Sequence, residues 1–199
     1  MTKNFLRSTQ YLICLNLLCQ LFWLAHLNWP DFFHLYLEQL IYLVTSVGII
    51  HTVSGIFIGI YLFKKQFRIS FYLLVLYGIY YMFILYYWYQ LVIGNVNLDS
   101  YMLAYYGLTA ISVILGLSLV LSAVRRKIWI KRAGIVIIVF SIMHISAELF
   151  PQMMQNPALQ MVRTLGSFLA SFGSILWILN FQDEIKSLPR ESNFLVDGP

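Results

Sequence analysis

The chain has 199 residues, 60% of them hydrophobic and only 11% charged, with a mean hydropathy of +0.76. Soluble domains carry about 25% charged residues, so this composition excludes an ordinary water-soluble fold and points to a chain solvated by lipid. The formal net charge of +5 sits at the flanks of apolar runs, which argues for membrane orientation and against nucleic-acid binding.

A hydrocarbon core about 30 Å thick takes about 20 apolar residues to cross as a helix. Six apolar runs of that order, the last two each broken by one charge at Glu148 and Arg163, predict an all-α fold, a polytopic membrane helix bundle with six transmembrane helices: 8–28, 39–63, 69–93, 101–124, 133–150 and 159–181. Residues 1–181 then form the membrane domain and 182–199 a short tail, with no stretch long or polar enough for a soluble domain.

The first run follows Lys3 and Arg7 and has no small-x-small cleavage site before Asn28, so it reads as an uncleaved span rather than a signal peptide. Cys14 and Cys19 show neither CxxC nor metal-ligand spacing; they read as small apolar residues, and no metal site is expected. Pro30, in the first connection, offers a starting point for helix two. A helix from there to Phe63 would measure about 51 Å, implying a bend or an interfacial first portion.

Helix two carries Thr45, Gly48, His51, Thr52, Gly55 and Gly59 at helical steps, a small and polar stripe that includes a GxxxG. Gly48, Gly55 and Gly59 are therefore expected to let a neighbouring backbone approach closely, within one bundle or across a homodimer face. His51 lies midway between Glu38 and Lys64, near the bilayer midplane. In helix three, Tyr80, Tyr81, Tyr86, Tyr87, Trp88 and Tyr89 read as an interfacial aromatic belt. Helix four has a shorter small stripe in Thr109, Ser112 and Gly116. The segment from Arg125 to Arg132 reads as basic anchoring, with docking of another protein or contact with lipid headgroups as the alternative.

Helix five sets Ser141, His144 and Glu148 at steps of three and four, hence on one face. His144 falls at nearly the depth of His51, about 18 Å beyond Arg132, and Glu148 about 24 Å beyond it. Arg163 re-enters from the same loop and is a natural counter-charge for Glu148. Gly166, Ala170 and Ser174 repeat the packing stripe on helix six.

Basic residues collect in alternate loops, and 12 of the 13 fall on one side. The positive-inside rule then puts both termini in the cytoplasm, N-in and C-in, in a membrane of the bacterial inner (plasma) type. Ionisable groups at membrane depth are costly, so His51, Ser141, His144, Glu148 and Arg163 form the expected binding or proton-relay group.

Several readings stay open. In one the group ties helices structurally; in another helices two and five each bring a histidine to the midplane site of a small transporter. The chain would then act as that carrier or as an accessory subunit of a membrane complex, with the lipid bilayer, other subunits or a second copy as partners. His51 and His144 as axial ligands of a haem, and His144 with Glu148 as acid and base of an intramembrane enzyme, are the alternatives. No Walker A loop, HExxH, GxSxG elbow, TVGYG filter or Arg-rich voltage-sensing helix is present.

Overall fold

Apolar runs of this length have only the helix to satisfy their backbone in lipid, and helices are what they form. The computed structural model describes residues 1–28, 37–123, 128–148 and 157–188. Six helices account for nearly all of them: α1 (Lys3–Asn28), α2 (Leu37–Lys64), α3 (Arg68–Val92), α4 (Leu98–Ser122), α5 (Ile128–Glu148) and α6 (Pro157–Ser187). Among the described residues, three helices are long and apolar enough to cross a membrane: α2 from Ile41, α3 and α4.

Helix ends follow local chemistry. α2 stops in a tight turn in which the Phe67 N–H bonds the Leu62 carbonyl at 2.9 Å and the Gln66 N–H the Phe63 carbonyl at 3.1 Å. This places Gln66 at φ 66°, a left-handed position that favours glycine. α3 ends in the same motif, where Asn95 N–H reaches the Gln90 carbonyl at 2.9 Å and Gly94 takes φ 79°. α4 then starts on Asn97, whose side chain accepts from the Ser100 N–H at 2.9 Å.

The main contacts run α1–α2, α2–α3, α3–α4, α4–α5, α5–α6 and α6–α1, so the helices form a closed antiparallel ring. The flanks of α1 (start), α2 (end), α3 (start), α4 (end), α5 (start) and α6 (end) meet at one end, here called the basic end. Phe5 stacks on Phe57, Phe63 meets Phe71, and the Ser70 and Ser118 hydroxyls share a hydrogen bond at 2.9 Å. α4 and α5 cross most closely: a β-carbon on Gly134 would lie 2.7 Å from the Gly116 carbonyl oxygen.

α6 extends six residues past 181, where the apolar run ends, because Asp183 and Glu184 find partners at the basic end. Glu184 pairs with the Lys65 ammonium at 2.6 Å and accepts from the Tyr61 hydroxyl at 3.1 Å. Asn180 donates to that same hydroxyl at 3.0 Å, and the Trp129 indole N–H donates to Asp183 at 2.6 Å. Directly above, Tyr61, Leu62, Leu119, Ile130, Trp177 and Phe181 form a dense apolar cluster that seals this end of the ring.

Polarity is arranged inside out. Thr9, Asn16, Ser54, Ser141, Ser174 and Asn180 are buried, while all six helices expose large apolar side chains, from Tyr11 on α1 (73%) to Leu121 on α4 (83%). Water would penalise such an exterior, and lipid tails solvate it at no cost. The chain is thus an integral membrane protein by composition, helix length and surface.

Candidate functional site

The centre of the ring is hollow. A cavity of about 610 Å³ lies above the apolar seal and is lined by residues of all six helices. That volume falls in the range of roughly 300–1,000 Å³ usual for small-molecule sites.

Five of its polar groups share one level. Asn16, His51, Tyr81, Ser141 and Ser174 line it, and each lies 13 positions from the basic end of its helix, counted from Lys3, Lys64, Arg68, Ile128 and Ser187. At about 1.5 Å per residue this is a belt about 20 Å above that end, near the middle of a bilayer. Gln20 and Tyr77 lie one turn from Asn16 and Tyr81 and also line the cavity. The remaining walls are mostly aliphatic and aromatic, and among the described residues no Lys, Arg, Asp or Glu lines them.

His51 is held from two sides. Its Nδ1 lies 3.4 Å from the Asn16 amide nitrogen and its Nε2 3.3 Å from the Tyr77 hydroxyl, while the Tyr81 ring tilts over it with centroids 5.0 Å apart. If the amide donates to Nδ1, the proton of the neutral imidazole sits on Nε2 and is donated to Tyr77. Both ring nitrogens are then engaged, so His51 has no lone pair free for iron. This geometry does not fit an axial haem ligand.

Across the ring, the Ser174 hydroxyl donates to the Gln20 side-chain oxygen at 3.2 Å, joining α6 to α1, and Ser54 donates to the Leu12 carbonyl at 3.2 Å. Two polar atoms of the belt are left over. The Asn16 side-chain oxygen and the Ser141 hydroxyl have no hydrogen-bond partner, although Asn16 is 5% and Ser141 2% exposed. Such groups cost about 1–3 kcal/mol each when left unmet.

The ring therefore brings together His51, Ser141 and Ser174 of the expected residues. The side chains of His144, Glu148 and Arg163, and the surroundings of Gly166 and Ala170, lie outside the described residues. On α2, a β-carbon at Gly48 would collide with Leu85 of α3, and one at Gly59 would touch Phe71 and Leu74. Gly48 and Gly59 thus face side chains of α3 and not its backbone, and Gly55 differs again: a β-carbon there meets nothing within 4 Å, and the residue borders the cavity.

Asn16, Gln20 and Tyr77 are not among the residues that charge at membrane depth singles out in the sequence. Tyr81 groups with the aromatic belt in sequence, whereas it turns inward onto His51. Tyr86 and Tyr89, further along α3, are exposed as a belt requires. The signal that would have found the missed four is the repeated count from the basic flanks, together with the i, i+4 pairs Asn16/Gln20 and Tyr77/Tyr81.

Compared with known proteins, the chain matches no family model, no curated protein and no solved structure. Its function has to be argued from the cavity.

Proposed function

We propose that the chain crosses a bacterial-type inner membrane six times, with both termini in the cytoplasm, and binds a small molecule in the centre of its helix ring. It acts as a small transporter or as the substrate-holding accessory subunit of a membrane complex. The observation that carries this reading is the cavity itself: a mid-depth belt of uncharged polar groups, two of them unpartnered, inside an otherwise apolar ring. A protein that used these groups only for packing would close the ring upon them, since a void forfeits dispersion contacts on every wall.

Support for six crossings comes from the apolar exterior shared by all six helices, and support for the orientation from the basic flanks gathered at one end. A fusion of green fluorescent protein to the C-terminus should fluoresce and a fusion of alkaline phosphatase there should be inactive; the reverse pattern refutes the orientation.

Cysteine chemistry tests the binding site directly. In a Cys14→Ala/Cys19→Ala background, Ser141→Cys should react with methyl methanethiosulfonate in the native membrane, whereas Ile130→Cys, sealed in the apolar cluster, should not. Equal inertness of the two would overturn the reading.

A further inference from the structure

The cavity is not confined to the ring interior. Its wall continues outward between α2 and α3 to Ile56, Val75, Ile79 and Met82, all of which are exposed on the lipid-facing surface. Two contacts hold this pair of helices, a tight one where Gly48 meets Leu85 and an ordinary van der Waals one where Gly59 meets Phe71 and Leu74. They are eleven residues apart on α2, about 16 Å. Between them the antiparallel register sets Gly55 opposite Gly78, and a β-carbon on either would meet nothing within 4 Å. Two facing glycines with no neighbour filling their space make a gap in the wall, a side window at mid-membrane depth. Water is scarce there and lipid chains are abundant.

The groups waiting inside define what such a window admits. No charged side chain is found among the described lining residues, so a carboxylate, phosphate or ammonium head held at this belt would be buried without a counter-charge from them, at a cost several times that of a neutral polar group. The unmet atoms are the Asn16 amide oxygen and the Ser141 hydroxyl. Asn16 shares its amide with His51, and whichever way that amide is turned, one end faces His51 and the other is spare. A hydroxyl satisfies either end, because it both donates and accepts, and it does the same for Ser141. The route of entry, the apolar walls and the neutral polar belt thus agree on one chemistry.

We infer that the cavity takes a neutral lipid alcohol, a single apolar chain ending in hydroxyl groups, which enters sideways from the bilayer between α2 and α3. The chain lies along the window past Gly55 and Gly78, and the hydroxyl head reaches Asn16 and Ser141. This inference rests on the cavity being a binding site, as proposed above.

Radiolabelled 1-monooleoylglycerol is a suitable probe, titrated onto the full-length protein in nanodiscs. Saturable binding of one molecule per chain is expected. The permanently anionic N-oleoyltaurine and the headless hydrocarbon hexadecane should each compete about tenfold less well or worse, the loss of roughly one satisfied hydrogen bond or more. Ser141→Ala should weaken binding by about tenfold on the same ground. Gly55→Leu with Gly78→Leu fills the window and should abolish binding, whereas Leu121→Ala, on the exposed face of α4 away from the cavity, should retain it.

Competition by N-oleoyltaurine equal to that of monooleoylglycerol overturns the neutral head, and full binding by the double leucine variant overturns the side entry. Absence of saturable binding while Ser141→Cys still reacts with methyl methanethiosulfonate would remove the lipid alcohol and leave the site. Absence of both would remove the two readings together.

Discussion

Replacing one glycine by alanine should have opposite consequences at two places in this ring. At Gly134 the new methyl would stand 2.7 Å from the Gly116 carbonyl oxygen and 3.0 Å from both Leu119 Cβ and Val120 Cγ2. A backbone oxygen and a β-carbon cannot rotate away, so α4 and α5 must separate by about 0.7 Å to restore a 3.4 Å contact. Overpacking of this kind costs about 1–3 kcal/mol, offset by up to about 1 kcal/mol from the better helix propensity of alanine. The expected net loss is about 1–2 kcal/mol, at roughly 2–4 °C of Tm per kcal/mol for a chain of this size. At Gly55 and Gly78 the same substitution meets open space, so only the propensity gain remains and the variants should be neutral or more stable by up to about 1 kcal/mol. Thermal unfolding in one detergent, followed by tryptophan fluorescence, ranks all three against the parent. A Gly134→Ala protein as stable as Gly55→Ala would refute the close crossing and the open window at once.

Other substitutions probe the turns, the seal and the belt. Gln66→Gly should stabilise by about 1 kcal/mol by relieving a left-handed residue, and Gly94→Ala should destabilise by a similar amount; equal effects in the same unfolding assay would contradict the two turn geometries. Glu184→Gln keeps a partner for Tyr61 but strands the half-buried Lys65 ammonium, and about 1–2 kcal/mol of detergent stability should be lost. Unchanged stability would show that the pair contributes nothing. Ser141→Ala removes a hydroxyl that bonds to nothing in the empty cavity, so the ligand-free protein should gain about 1 kcal/mol, and a loss would reveal a partner for it.

Much of the helical architecture was legible because it depends on one-dimensional quantities. Run length and the punctuation by Lys64, Lys65 and Arg68 or by Asn95 and Asn97 are enough to mark where helices stop. Helix ends were less legible where charge is compensated in three dimensions: nothing near Asp183 and Glu184 in sequence announces Trp129, Lys65 and Tyr61 as partners. The site was half legible. His51 stood out by charge type, and Ser141 by its spacing from His144. Asn16 and Gln20 did not, since uncharged amides in a span are common and only ring closure turns them toward a shared centre. The glycines show the same limit, because one small stripe on α2 serves both tight packing at Gly48 and open space at Gly55, and the difference lies in what α3 places opposite.

Closure of the ring by α6 against α1 also imposes an order on its making. Chains are synthesised from the N-terminus, so α1 to α5 exist before the helix that completes the wall. Until α6 arrives, Gln20 lacks the Ser174 hydroxyl and the inner face carrying Asn16 and His51 has an open side. Polar groups so exposed would attract lipid headgroups, water or the insertion machinery. The cavity is therefore the last part of the protein to come into being, and its polar belt distinguishes a finished ring from an unfinished one.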